Sequence, residues 1–424
     1  MTQNLFIHEP ARDVRVSGDA DVIVCGGGPA GVAAAVAAGR LGVSVIMLEA
    51  SSMPGGIMTS GMMPNIIDSQ NKKGFVDELK AYCRSEHAEG RYNCFDPEYV
   101  KHFLERELVK AQVRIRYGTL VTATIQEGDR LSAVICESPS GREAFTGRIF
   151  IDCTGNGTLA ALAGCRFEVG DPDNGIPQAA SLCALCGCAD EEDFPQFLIR
   201  QNDTGKHEIR KALVECGCTP SYSMPTLFKV RNREYLLMSN HEENVRCDDA
   251  DRISEALIHG RTEVFRQVET LRKSREDARN LYLMTTASAL GFREGRRIRA
   301  RYNLSVKDLM EGTHHEDAVC EVRFGVDIHR AVGHGYDNAG ISVKPFDVPL
   351  RSLMSEQYAN LLLAGRCIGG DYYAHAAYRV LGNAIPIGEG AGIAAAAALR
   401  NGKELPELSV EEFHRAGGNP HRNQ

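Results

Sequence analysis

Asp21-Val-Ile-Val-Cys25 is a β-branched run with no polar alternation, the pattern of a parallel strand buried on both faces. Gly26-Gly-Gly-Pro-Ala-Gly31 follows with no spacer, then an alanine-rich, helix-forming stretch from Val32 to Leu41 that stops at Gly42. A second buried strand, Val43 to Leu48, closes on Glu49. Strand, glycine turn, helix, strand and acid in this order predict one βαβ unit. Asp96 to Val109 carries apolar residues at helical spacing after an Asp-Pro start, so Asp96 is the expected N-cap. Val113 to Ile125, Ser132 to Glu137 and Glu143 to Ile149 alternate as strands do, the last two meeting at Ser138-Pro-Ser-Gly141. Phe150 to Gly155 reads as a further buried strand. From 166 to 349 the pattern is mixed, with alternation near Gln178 to Cys188 and Leu227 to Met238 and a long charged helix from Asp248 to Arg272. The earlier style returns at Asn360 to Gly365, a strand running into glycine, and at Gly388 to Leu399, where glycines open an alanine-rich helix.

A length of 424 residues predicts two or three compact units. The fold expected is α/β: a discontinuous dinucleotide-binding domain from 18–165 and 350–405, Rossmann-like and three-layered. A mixed α+β substrate domain, 166–349, is inserted in it, and 1–17 and 406–424 are terminal extensions. A net charge of −8 with 43% hydrophobic residues excludes disorder and argues against a nucleic-acid partner. No apolar stretch reaches bilayer length and the N-terminus lacks a signal-peptide pattern, so no membrane partner and a cytoplasmic location are expected. The 14 cysteines show no regular pairing and read as reduced, buried residues. Cys183-x-x-Cys186-x-Cys188 offers one thiolate too few for an iron–sulfur cluster and reads as a buried strand, and no metal site is predicted.

The glycine turn carries the first chemistry. Gly26 permits the turn, Gly28 lets backbone N–H groups approach a pyrophosphate and Gly31 lets helix pack on strand, with Pro29 and Ala30 completing the helix start. Glu49 stands where a carboxylate accepts from ribose hydroxyls. NAD and FAD both satisfy this much. Two features favour FAD: a second backbone-exposing segment at Gly55-Gly56-Ile-Met-Thr59, and a glycine-bearing helix start near the C-terminus whose positive pole suits a flavin's pyrimidine edge.

With these motifs, and with IDCTGNGTLAALAG, LGFREGRRIRARYNLS, NLLLAGRCIGG and RVLGNAIPIGEGAGIAAAAAL, the chain resembles the FAD-dependent oxidoreductases of the glutathione-reductase-type superfamily from Asp21 to Arg400. The resemblance implies noncovalent FAD. Gly26, Gly28, Gly31 and Glu49 would hold the ADP half, the backbone of Val121 would lie near adenine and Gly155 close to the dinucleotide. Gly55, Gly56, Thr59, Gly365, Arg366, Gly382 and Asn383 would face the ribityl and isoalloxazine. Two departures stand out: Tyr372 occupies the family's usual histidine position, with His375 three residues on, and Asn156 replaces a common aspartate.

Flavin dehydrogenation needs a base near the cofactor, and His375 is the leading candidate. Tyr372, Tyr373 and Tyr378 would wall the pocket or orient hydroxyls, and Arg379 would hold a substrate carboxylate or a flavin carbonyl. His329 and His334 lie on a glycine-containing loop able to reach the flavin face, while Arg293 and Arg296 are candidates for an acidic substrate. Each has a plainer reading: packing, a solvated loop, or, for Arg293 to Arg301, a salt-bridged helix end. The expected reaction removes hydride from a C–OH or C–N carbon of a small polar metabolite (a sugar, polyol or hydroxy acid) to flavin N5, with an unspecified electron partner. The alternatives are reduction of an activated C=C bond fed by NAD(P)H or a carrier, and a non-redox or structural FAD. The oligomeric state is left open.

Overall fold

The computed structural model describes residues 7–63, 65–88, 93–188, 197–198, 203–330 and 336–418. β1 (Arg15–Cys25), α1 (Pro29–Arg40) and β2 (Val45–Leu48) form the anticipated βαβ unit, with Val22 to Cys25 in parallel register with Val45 to Leu48. α2 (Phe75–Ser85) and α3 (Pro97–Lys110) follow, and Asp96 caps α3 by accepting from Glu98 N. β3 (Arg114–Arg116) joins β2 in parallel. β4 (Leu120–Glu127), β5 (Arg130–Ser138) and β6 (Gly141–Asp152) pair antiparallel, and β6 returns beside β1 in parallel. Strand order is β3-β2-β1-β6-β5-β4, and Leu361–Leu363 adds in parallel to the end of β6.

β6 unites two stretches that the sequence pattern separates, Glu143 to Ile149 and Phe150 onward. Its first half pairs with β5, its last three residues pair with Leu361 to Leu363, and β1 lines its other side from Glu143 to Asp152. The change of pattern marks a change of neighbour within one strand.

The closing helix spans Leu381–Asn401, with Val380 as N-cap and Pro386 inside it. It therefore opens seven residues before Gly388, where the glycine pattern had placed its start. Those glycines serve packing instead: a Cβ on Gly388 would stand 2.0 Å from Ala30 O, and one on Gly392 2.1 Å from Ala34 O. Each step advances four residues on both helices, so α1 and the closing helix run in the same direction and present their N-terminal ends to one edge of the sheet.

A second, antiparallel sheet runs in the order Leu281–Thr286, Ala184–Cys188, Glu234–Met238, Thr226–Arg231. The helix Ala250–Ser274 packs on it through Val264, Val268 and Leu271. Residues from Ile298 to Val348 instead bury their apolar side chains in the same core as β1, β6 and the closing helix. Cys183, Cys186 and Cys188 are buried in this sheet region, and burial pushes the Cys183 and Cys186 thiols up to about 12. No single helix among the described residues is long and apolar enough to cross a membrane.

Candidate functional site

The parallel strands end together, and the turns that follow them form one edge, where open α/β sheets bind ligands. At Gly26 φ is +98°, and a Cβ on Gly31 would meet Gly26 O at 1.8 Å, so both positions require glycine. Gly28 is the N-cap of α1 and no side chain caps that helix, leaving its positive pole open before Pro29 and Ala30. The Glu49 carboxylate accepts from Gly27 N at 2.6 Å and Ser51 N at 2.7 Å and keeps lone pairs for a further donor. Gly55 N donates to Gly27 O at 2.7 Å, which lays Gly55, Gly56 and buried Thr59 on the glycine turn. Thr119 N donates to Glu49 O at 2.9 Å and brings buried Val121 to the same corner.

From the far end of the chain, Gly365 packs on Ala30, and Gly382 N donates to Ile67 O at 2.9 Å. Arg366 lies against Gly155, donating to Phe292 O at 2.8 Å and Asn156 Oδ1 at 2.7 Å. Asparagine in place of aspartate at 156 thus gives Arg366 a neutral partner, and burial pushes this guanidinium below its ordinary pKa. Asn383 is fully buried, and neither atom of its amide has a hydrogen-bond partner among the described residues. An open helix pole for a pyrophosphate, a carboxylate for a ribose and an unpartnered buried amide in the first turn of the closing helix together fit FAD.

Between this edge and the second sheet lies a cavity of about 540 Å³. Ile57, Arg366, Val380 and Leu381 line its cofactor side, and Ser181, Cys183, Thr226, Phe228 and Met238 line the opposite side. Arg293, Asp327, His329, Arg379 and Tyr222 complete the wall. Arg379 Nη2 donates to Asp327 O at 2.8 Å and Oδ2 at 3.1 Å. His329 Nε2 lies 3.2 Å from the same Oδ2, and His329 Nδ1 lies 3.1 Å from His241 Nε2. Tyr222 stacks on His241 with ring centroids 4.2 Å apart. Burial and the Arg293 charge push His329 down to about 3, so its ring is neutral at ordinary pH. Burial alone would raise Asp327, but the His329 hydrogen bond and the charges of Arg379 and Arg293 outweigh it and hold this carboxyl well below its ordinary range. His241 also lines a second cavity of about 390 Å³, with Ser221, Glu242 and His259.

The residues singled out by sequence fall into two groups. Arg379, Arg293, Arg366 and His329 reach the cavity. Tyr372, Tyr373 and His375 lie on the helix Tyr372–Tyr378 and line none of it. His375 is fully buried away from the cavity, neither ring nitrogen has a hydrogen-bond partner among the described residues, and burial and the charges of Arg297, Arg379 and Arg366 push it well below its ordinary pKa. Tyr372 packs beneath Arg297 and edge-on to Tyr373, while Tyr378 is buried and donates to Ile368 O at 3.1 Å. His334 lies outside the described residues. The run from Arg293 to Arg301 is extended, containing only the short strand Arg297–Ile298, and is not a helix end. Arg297 pairs with Glu294, and Arg296 donates to Asn156 O at 3.1 Å and pairs with Asp248.

Asp327, His241 and Tyr222 were absent from the sequence candidates. Asp327 and His329 are two residues apart on extended backbone, a spacing that sends both side chains to one face and was available as a signal. His241 stands 88 residues from His329 and had none.

Among solved structures the chain is similar to the OxyS anhydrotetracycline hydroxylase of Streptomyces rimosus, at 14% identity over 95% of this chain and 66% of that one, with a TM-score of 0.51. It is also similar to a geranylgeranyl bacteriochlorophyll reductase-like protein of Thermoplasma acidophilum, at 14% identity over 94% and 82% of the two chains, TM-score 0.47. A third similar structure is the p-nitrophenol 4-monooxygenase PnpA of Pseudomonas putida, at 14% identity over 94% and 84%, TM-score 0.46. At these identities the likeness speaks to fold alone. No curated protein matches the sequence significantly. The family model described as FAD dependent oxidoreductase matches residues 21–416, and the chain belongs to that family, with FAD as its cofactor.

Proposed function

We propose that the protein oxidises a small molecule held in the cavity beside His329, Arg293 and Arg379, at a carbon bearing a hydroxyl or amino group. The observation that carries this reading is the line from Asp327 through His329 to His241, which begins in the cavity wall. FAD, when bound, supplies the two-electron acceptor. The protein's task is to position the substrate and manage its proton. With Asp327 ionised, Oδ2 accepts from His329 Nε2, which fixes that ring's tautomer and leaves Nδ1 to accept from His241 Nε2, and Oδ1 of Asp327 takes the substrate's proton as hydride leaves the carbon. Arg379, bonded to Asp327 through both backbone and side chain, holds this carboxylate in place. The apolar wall of Ile57, Phe228 and Leu381 limits water around the reacting carbon.

The test is anaerobic titration of the FAD-bound protein with a panel of hydroxy acids, amino acids, sugars and polyols, and separately with NAD(P)H, following flavin absorbance. The reading expects bleaching by an organic donor. Bleaching by NAD(P)H alone would favour a second reading, reduction of an activated double bond. One observation speaks for that alternative: burial lowers Arg293 to about 10, which makes its guanidinium a better proton donor than an exposed one.

A further inference from the structure

The cavity's cations are not matched by its anions. Arg293 is 9% exposed, and its guanidinium donates to Ala179 O at 2.6 Å and Ser181 Oγ at 2.9 Å, with Met238 Sδ 3.7 Å away. All three acceptors are neutral, and no Asp or Glu among the described residues makes ion-pair contact with it. Arg366 is also held by neutral acceptors, and Asp327, whose charge acts on Arg293 without touching it, is already bonded to Arg379. The other acid of the wall, Asp68, pairs with buried Lys72 at 3.4 Å. Arg366 adjoins the glycine turns on the cofactor side, whereas Arg293 stands across the cavity beside the second sheet. A buried cation without a counter-ion is costly and persists where a ligand supplies the missing charge. Ile57, Phe228, Phe292, Phe324 and Leu381 give the wall an apolar share, and Asn65, Gln70, Asn93 and Thr226 add uncharged polar groups to it. A carboxylate answers the unpaired charge of Arg293, which the neutral hydroxyls of sugars and polyols do not.

We infer that the cavity takes an amphipathic monocarboxylate, its carboxylate forked on Arg293 and its apolar body against Phe228, Phe292 and Leu381. This rests on the reading of the cavity as the substrate site. It narrows the expected substrates to the acids and sets aside the sugars and polyols.

The test compares 4-phenylbutyrate and octanoate with their amides on the FAD-bound protein, reading flavin absorbance perturbation and thermal unfolding. The acids should bind about tenfold or more tightly than the matching amides, the size expected of a charge-assisted, desolvated contact. Arg293→Gln should bring that ratio to about one, and Arg293→Lys, which keeps the charge and loses the fork, should fall between. Without ligand, Arg293→Gln should unfold no lower than the parent protein, because an unpaired buried charge is removed. Should that variant not fold, the acid-to-amide ratios of the parent and of Arg293→Lys decide. Equal binding of acids and amides, or an unchanged ratio in Arg293→Gln, overturns the inference. A flavin that no organic donor bleaches, with acid preference intact, would instead overturn the proposed oxidation and leave this site standing.

Discussion

His329 Nδ1 and His241 Nε2 lie 3.1 Å apart, and the two rings belong to the walls of different cavities: His329 to the one beside the glycine turns, His241 to the outer one with Glu242 and His259. In the resting tautomers His241 donates to His329 and His329 to Asp327, so a proton taken at Asp327 moves outward once both rings have exchanged tautomers. The geometry therefore joins Asp327 to a second compartment while the inner cavity is filled.

His241→Phe preserves the stack on Tyr222 and removes both ring nitrogens. Turnover with the donor found by anaerobic titration should fall roughly 10²-fold, and in His241→Ala, which vacates the ring's place, added imidazole should restore part of it. An unchanged rate and pH profile would show that protons leave by another route.

Glu389 reaches from the closing helix to the start of α2, where both carboxylate oxygens lie 3.3 Å from Phe75 N. Burial raises this carboxyl from 4.5 to about 7. A raised acid pKa means the folded protein binds the proton more tightly than the unfolded chain, so stability falls as pH climbs from about 4.5 to about 7 and levels off above. The span is on the order of 3 kcal/mol at most. Glu389→Gln, whose carbonyl still accepts from Phe75 N, should flatten that slope in unfolding temperatures measured between pH 5 and 8.

Gly388→Ala places a methyl against Ala30 O, where a Cβ would stand at 2.0 Å. The overpacking should cost about 1–3 kcal/mol. Because the strain falls on the first turn of α1, FAD retention on gel filtration should drop as well. A variant with unchanged stability and cofactor content would show that the two helices separate freely.

Glu49→Ala removes the carboxylate that accepts from Gly27 N and Ser51 N. Loss of one charge-assisted contact to a ribose, together with a looser turn, should weaken FAD binding about 10- to 100-fold, readable by fluorescence titration of the apoprotein. Undiminished affinity would place the ribose elsewhere.

The βαβ unit was legible because its signals are local: the run of Asp21 to Cys25, the turn at Gly26 to Gly31 and the acid at Glu49 follow one another directly. Asp96 was legible as a cap for the same reason. Gly388 and Gly392 were visible, but their purpose was not, since their partners Ala30 and Ala34 lie some 360 residues away; they marked a helix–helix contact and were read as a helix start. The candidate base shows the deeper limit. His375 sits three residues after Tyr372 on a short helix, and that this helix is packed away from the cavity while Arg379 just beyond it reaches the wall depends on packing that no local pattern records. His329 reaches the cavity because the extended segment from Asp327 is laid against Tyr222 and His241 by tertiary structure. Arg293 looked like one of a charged run, and only the second sheet around Ser181 and Met238 sets it apart from its neighbours.

The most direct measurement is the anaerobic rate of flavin reduction, by the donor that bleaches the parent protein, in His329→Gln and His375→Leu. His329→Gln should reduce its flavin about 10²- to 10⁴-fold more slowly. His375→Leu replaces a buried ring that has no hydrogen-bond partner among the described residues and lines none of the cavity, and should react within a few-fold of the parent. The opposite pattern, slow reduction in His375→Leu and a normal rate in His329→Gln, would contradict the account and return the chemistry to the helix Tyr372–Tyr378.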